Sequence, residues 1–169
     1  MSRTSRFIAA GLFVLLSGCA SSGSTGGGSP PVEMTSAPTS TGMNVAAGSE
    51  EDFIVNVGRR TFFKQGSADL DETARVTLQK QAQWLQRHPQ WKVKLQGFAD
   101  DPGSPAAQKD LSQRRADAAR IYLASLGVSP DRMKAKGYGR DRLVGDCPGI
   151  ECKAQNRRVI TNPQEDPDF

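Results

Sequence analysis

"QGFADDPGSPAAQKDLSQRRADAARIYLASLGV", residues 96 to 128, decides the fold. The segment that runs into it, "WKVKLQG" at 91 to 97, alternates strictly. Trp91, Val93 and Leu95 fall on one face, with lysines and a glutamine on the other, which is the pattern of a strand with one side buried. "ADDPGSP", 99 to 105, then reads as a turn centred on Pro102-Gly103. From about Ala106 to Leu126 the period changes to that of a helix, and Gly127 is placed to cap its C-terminus. Ala116, Ala119, Leu123 and Leu126 form the core face of that helix.

Outward from this unit, each flank repeats the same kind of reading. Upstream, "DFIVNV" and "RTFF" flank Gly58 and are rich in β-branched and aromatic residues, so they predict a first strand or hairpin. A helix over Glu72 to Arg87 follows, with Asp71 as N-cap. Its buried stripe is Ala74, Leu78, Ala82 and Leu85, and Pro89 ends it after His88. Downstream, Met133 to Tyr138 predicts a third strand. A loop and short turn lead to "RRVIT", 157 to 161, as the last strand. The order β-α-β-α-β-β specifies an α/β sandwich, with helices packed on one mixed sheet. No internal repeat is visible.

The N-terminal end has a different character. Arg3 and Arg6 precede the apolar run Phe7 to Leu16, which is the order of a secretory signal. The run is too short to cross a bilayer, which takes about 20 apolar residues. Leu16-Ser17-Gly18-Cys19 resembles a bacterial lipobox. That resemblance implies cleavage before Cys19, diacylglycerol on its thiol and acylation of the freed amine. Two or more acyl chains hold a protein stably where one does so only marginally. Ala20, in place of the aspartate that favours inner-membrane retention, points to the outer membrane. Residues 20 to 49 carry a single charge, Glu33, among Ser, Thr, Gly, Ala and Pro. So little apolar surface cannot offset the entropy of ordering, which predicts a flexible tether averaging about 30 Å end to end. The expected organisation is a signal over 1–18, the lipidated cysteine and tether over 19–50, one domain over 51–163 and a frayed acidic tail over 164–169.

Composition excludes several classes of function. The formal net charge is +4, and falls to +2 when Arg3 and Arg6 leave with the signal. So modest a balance argues against nucleic acid as a partner. The chain has one histidine, His88, beside a proline at a helix end. It is expected to be solvated and to interact favourably with the helix C-terminus. Without a second histidine there is no nucleophile–base pair of the usual kind. No cluster of metal ligands is present either. "GYGRDR", 137 to 142, lacks the glycine pattern and following helix of a phosphate loop. The expectation is a protein that is not an enzyme, with no cofactor and no metal. Cys147 and Cys152 bracket "PGIE", and in an oxidising periplasm they are expected to form a disulfide. Closing so short a loop contributes about 2 kcal/mol in the chain-entropy description. The alternative is two free thiols.

A binding function reads better. Asp100 ends the second strand at the mouth of the turn, and Arg115 lies about two helical turns in, beside the core stripe. Folded towards one pocket, the pair suits a zwitterion, with its ammonium on Asp100 and its carboxylate on Arg115. An internal Asp–Arg salt bridge is the competing reading, and physics alone favours it.

These segments, with "KGYGRDR" and "AQNRRV", resemble the OmpA-like C-terminal domain. With lipobox and tether, essentially the whole chain is similar to the peptidoglycan-associated lipoproteins. "DFIVNVG…FF", "KQAQWLQRHPQW" and the cysteine pair before "NRR" are similar to the alphaproteobacterial form. The resemblance implies non-covalent binding of peptidoglycan stem peptides at the zwitterionic centre of meso-diaminopimelate. It also implies a place in the Tol–Pal system, with periplasmic and inner-membrane Tol proteins as partners. The family's Asp and Arg fall on Asp100 and Arg115 without a gap, and Arg114, Asn156, Arg157 and Arg158 also match, with Arg158 assigned to the binding site. There are departures. Phe98 replaces the histidine of the family's "GH", Lys64 replaces an acidic residue, and Ala107-Gln108 replaces Tyr-Asn. These carry an alternative reading: a scaffold that has lost wall binding and docks a periplasmic protein on the same face.

Overall fold

The computed structural model describes residues 45–146 and 148–165. The expected signal, the lipid site Cys19, most of the tether, Cys147 and the last four residues lie outside them. Four strands and four α-helices alternate along the described chain. The sheet has the order β1 (Arg60–Phe62), β4 (Arg158–Gln164), β2 (Lys92–Gly97), β3 (Met133–Gly137). β4 runs antiparallel to both its neighbours, and β3 runs parallel to β2, so the sheet is mixed. The expected α/β sandwich forms, with two further helices, one before β1 and one between β3 and β4.

Local chemistry accounts for each element. α2 (Glu72–Arg87) starts where the Asp71 carboxylate accepts from the Ala74 N–H at 2.9 Å. α3 (Pro105–Ser125) starts where the Ser104 hydroxyl accepts from the Ala107 N–H, with Pro105 in the first turn, where no N–H is missed. Along β2, Val93, Leu95 and Gly97 are buried and the residues between them are half-buried. The core joins Leu78, Trp84 and Leu85 of α2, Val93 and Leu95 of β2, Ala119 and Leu123 of α3, and Val159 of β4. Each fully buried large apolar side chain contributes about 1.5–3 kcal/mol.

Two glycines let α3 lie directly on the sheet. Gly97 and Gly137 are register partners on β2 and β3. A Cβ on Gly97 would come within 2.0 Å of the Ser112 carbonyl oxygen, and one on Gly137 within 2.4 Å of the Gln113 nitrogen. No other residue type permits this approach, and it fixes where the next turn of α3, with Arg115, meets the end of β2.

Two expectations are corrected. "DFIVNV" is not extended: α1 (Glu50–Asp52) continues as π-helix over Phe53–Val57, and only Arg60–Phe62 of the predicted hairpin is strand. The reason is tertiary. Phe53 packs edge-to-face on Trp84 with ring centres 5.0 Å apart. The Asp52 carboxylate accepts from the Trp84 indole, the Gly48 N–H and the Asn56 amide, each at 2.8–2.9 Å. Gly58, at φ +86°, then turns the chain out of the helix. The second correction concerns the segment before the last strand, which is the helix α4 (Ile150–Asn156) rather than a turn. Of the residues read as tether, Gly48 is hydrogen-bonded to the domain, its carbonyl accepting from the Trp91 indole at 3.0 Å. Among the described residues no helix is long and apolar enough to cross a membrane.

Candidate functional site

β2 delivers the chain to the sheet end at Gly97, and β4 starts beside it. Phe98 bonds back to β4, its N–H donating to the Arg158 carbonyl at 2.8 Å. Beyond Phe98 the strict alternation of the strand is lost, so the neighbours Asp100 and Asp101 take unrelated partners.

Arg115 is fully buried. A guanidinium has five N–H donors, and here all five are used within the protein. Nε donates to the Ser67 carbonyl at 2.8 Å. Nη1 donates to the Phe98 carbonyl at 3.2 Å and to Asp101 Oδ2 at 2.8 Å. Nη2 donates to the Lys64 carbonyl at 3.0 Å and to Asp101 Oδ1 at 3.1 Å. The Gly66 N–H adds a third bond to Asp101 at 2.7 Å. Burial acts most strongly on the Asp101 carboxyl and would raise its pKa. The Arg115 hydrogen bonds, the Gly66 N–H and the charges of Arg115 and Arg157 outweigh it, holding the carboxyl below its usual range.

The internal pair is therefore Arg115 with Asp101, one residue beyond the expected aspartate. Asp100 faces the other way, also buried. Its Oδ2 accepts from the Asn156 amide at 2.9 Å, and its Oδ1 lies 3.3 Å from Nε of the half-exposed Arg140. Asn156 also donates to the Gly145 carbonyl and accepts from the Val144 N–H, tying that loop to Asp100. Arg158 lies beneath the site. Its guanidinium covers the Phe98 ring at 4.3 Å and donates to the Arg142 carbonyl at 3.0 Å. Burial, then the charge of Arg60, lowers its pKa. Phe98 in turn stacks on Tyr138, with ring centres 5.6 Å apart. Phe98 is thus the middle of a packed cation–aromatic stack. Lys64 contributes to the site by its carbonyl, which any side chain supplies.

A cleft of about 400 Å³ opens over the two aspartates. The buried Gln108 and the exposed Arg140, Lys153 and Ile150 line it with them. An acidic floor with a cationic edge suits a ligand that carries both charges. Sequence reasoning missed Asp101, Arg140 and Lys153. The Asp100-Asp101 doublet signalled two acids, and only the path of the chain after β2 assigns them.

The sequence profile of the OmpA family matches residues 62–157. The peptidoglycan-associated lipoprotein of Brucella melitensis is 47% identical over 114 residues, 68% of this chain and 68% of its own. That of Agrobacterium fabrum is 38% identical over 161 residues, 95% of this chain and 88% of its own. The crystal structure of the peptidoglycan-associated lipoprotein from Burkholderia pseudomallei superposes with a TM-score of 0.64 at 30% identity. It covers 69% of this chain and all of that one.

Proposed function

The chain belongs to the OmpA family, and on that footing we propose that it is an outer-membrane lipoprotein that grips peptidoglycan non-covalently, tying membrane to wall. The family is non-enzymatic. The observation that carries the proposal is the buried carboxylate of Asp100 under an open cleft, at the position the family uses. Asp100 takes the ammonium of meso-diaminopimelate. Arg115 supplies the buried positive charge. All five of its N–H groups are taken within the protein, so it acts by holding Asp101 and the chain beside Asp100, and the cationic edge at Arg140 and Lys153 meets the ligand carboxylate. Arg158 acts from below, holding Phe98 and the loop at Arg142.

The lipid anchor on Cys19, the outer-membrane location facing the periplasm, the Cys147–Cys152 disulfide and work within the Tol–Pal system belong to the same proposal. For the disulfide, support comes from the short separation in sequence and from Cys152, which is not without a partner. The test of wall binding is sedimentation of the full chain with purified sacculi that contain diaminopimelate. Wild type should pellet and Asp100→Asn should remain in the supernatant. A wild type that stays soluble would leave the alternative, a scaffold docking a periplasmic protein.

A further inference from the structure

Arg157 stands apart from the other buried cations. Arg115 uses all five N–H groups. Even the half-buried Arg132 donates to the carbonyls of Leu85, His88 and Trp91. Arg158 has an unpartnered Nε, but both of its Nη groups are bonded and its face is covered by Phe98. The Arg157 side chain has neither a hydrogen bond nor an ion pair to any described residue, and its Nε is buried without a partner. Only 7% of the residue is exposed. A guanidinium so nearly covered, with no hydrogen bond of its own and only the charge of Asp101 to offset it, is poorly satisfied unless something else completes it.

It lines a cavity of about 420 Å³. Phe62, Phe63 and Ala74 give this cavity apolar walls, and the exposed Arg60 and Lys64 with Arg157 outnumber its one carboxylate, Asp71, which is engaged in capping α2. It shares no lining residue with the cleft over Asp100, yet the two abut in sequence on both sides. Lys64 belongs to one and Gln65 to the other, and Ala154 to one and Lys153 to the other. Asn156, next to Arg157, is bonded to Asp100. One extended peptide can therefore lie across both.

We propose that the Arg157 cavity is a second binding point for the peptide ligand of the cleft, taking a carboxylate of the same stem peptide outside its diaminopimelate residue. The assignment rests on the wall-binding reading. It makes Arg157 a residue that selects stem peptides by their further carboxylates, through the planar two-point bonding that arginine offers to such groups.

The test is calorimetric titration of the full chain in detergent with two synthetic stem tetrapeptides containing meso-diaminopimelate. One has all its carboxylates, and the other has every carboxyl outside the diaminopimelate converted to carboxamide. Wild type should bind the amidated peptide at least about tenfold more weakly. Arg157→Gln should bind both alike, at the weaker level, and Arg157→Lys should restore part of the preference. Equal binding of the two peptides by wild type overturns the proposal without any variant, so it stays exposed even if Arg157→Gln does not fold. A preference that survives in folded Arg157→Gln overturns it too. If wild type binds neither peptide, the wall-binding reading itself fails and this assignment falls with it.

Discussion

At the level of single residues, the contrast between neighbours is the most telling. Arg114 and Arg115 are adjacent, yet one is exposed and paired to Asp110 within the helix, while the other is sealed beneath the site. Removing one partner of a buried pair leaves an uncompensated charge. Asp101→Ala should therefore destabilise the fold by about 3–5 kcal/mol, whereas Arg114→Ala should change it by less than about 1 kcal/mol. Urea unfolding followed by tryptophan fluorescence measures both, and equal effects would remove Arg115–Asp101 from its structural role. Asp52 makes a prediction in pH. Its hydrogen bonds from Asn56, Gly48 and Trp84, in that order, bring its pKa from 3.8 to about 2. Between those values the unfolded chain binds more protons than the folded one, so stability falls as pH falls. The contribution of Asp52 should be complete above pH 3.8 and lost as pH passes down through about 2. In Asp52→Asn the unfolding midpoint should be lower at pH 6 and less sensitive to acid than in wild type.

Elements depend on where they can touch. α3 reaches the sheet because Gly97 and Gly137 have no side chain to hold it off. The obstacle facing a Cβ on Gly97 is helix backbone, which cannot rotate aside. Gly97→Ala should destabilise by at least about 1–3 kcal/mol and, by lifting α3, should loosen the Arg115 cage. Denaturation gives the first effect. The second should appear as faster amide exchange at Gly66, whose N–H bonds Asp101. An Ala variant as stable as wild type would mean that the helix does not depend on this contact. The π-helical turn Phe53–Val57 shows the converse, because its residues favour a strand and its packing overrides them. Phe53→Ala, by emptying the space against Trp84, should cost about 3–5 kcal/mol in the same assay.

For the whole molecule, the proposed lipid anchor at Cys19 and the proposed wall-binding domain are two ends that can be tested separately. Cys19→Ala should abolish incorporation of radioactive palmitate and leave the protein outside the membrane fraction or as a longer precursor, while its domain still sediments with sacculi. Label that persists in the mutant would end the lipobox reading. Much of the fold is legible in the order of residues alone. The strand over 91 to 97, the two long helices, the cap at Asp71 and the core stripes follow from periodicity and capping, which are local properties of the chain. The acidic and basic types at the sheet end are legible in the same way. Three things are not. The helical course of Phe53–Val57 is set by a tryptophan some 30 residues away, and the helix Ile150–Asn156 is placed by the bonds of Asn156 to Asp100 and its loop. The choice of Asp101 over Asp100 as partner of Arg115 depends on how the chain leaves β2, after alternation has ceased to say which way a side chain points. Nor does the pattern of residues distinguish the satisfied Arg115 from the unsatisfied Arg157. The sequence states that a charge is present, and only the assembled set of carbonyls and carboxylates around it decides whether its hydrogen bonds are already spent.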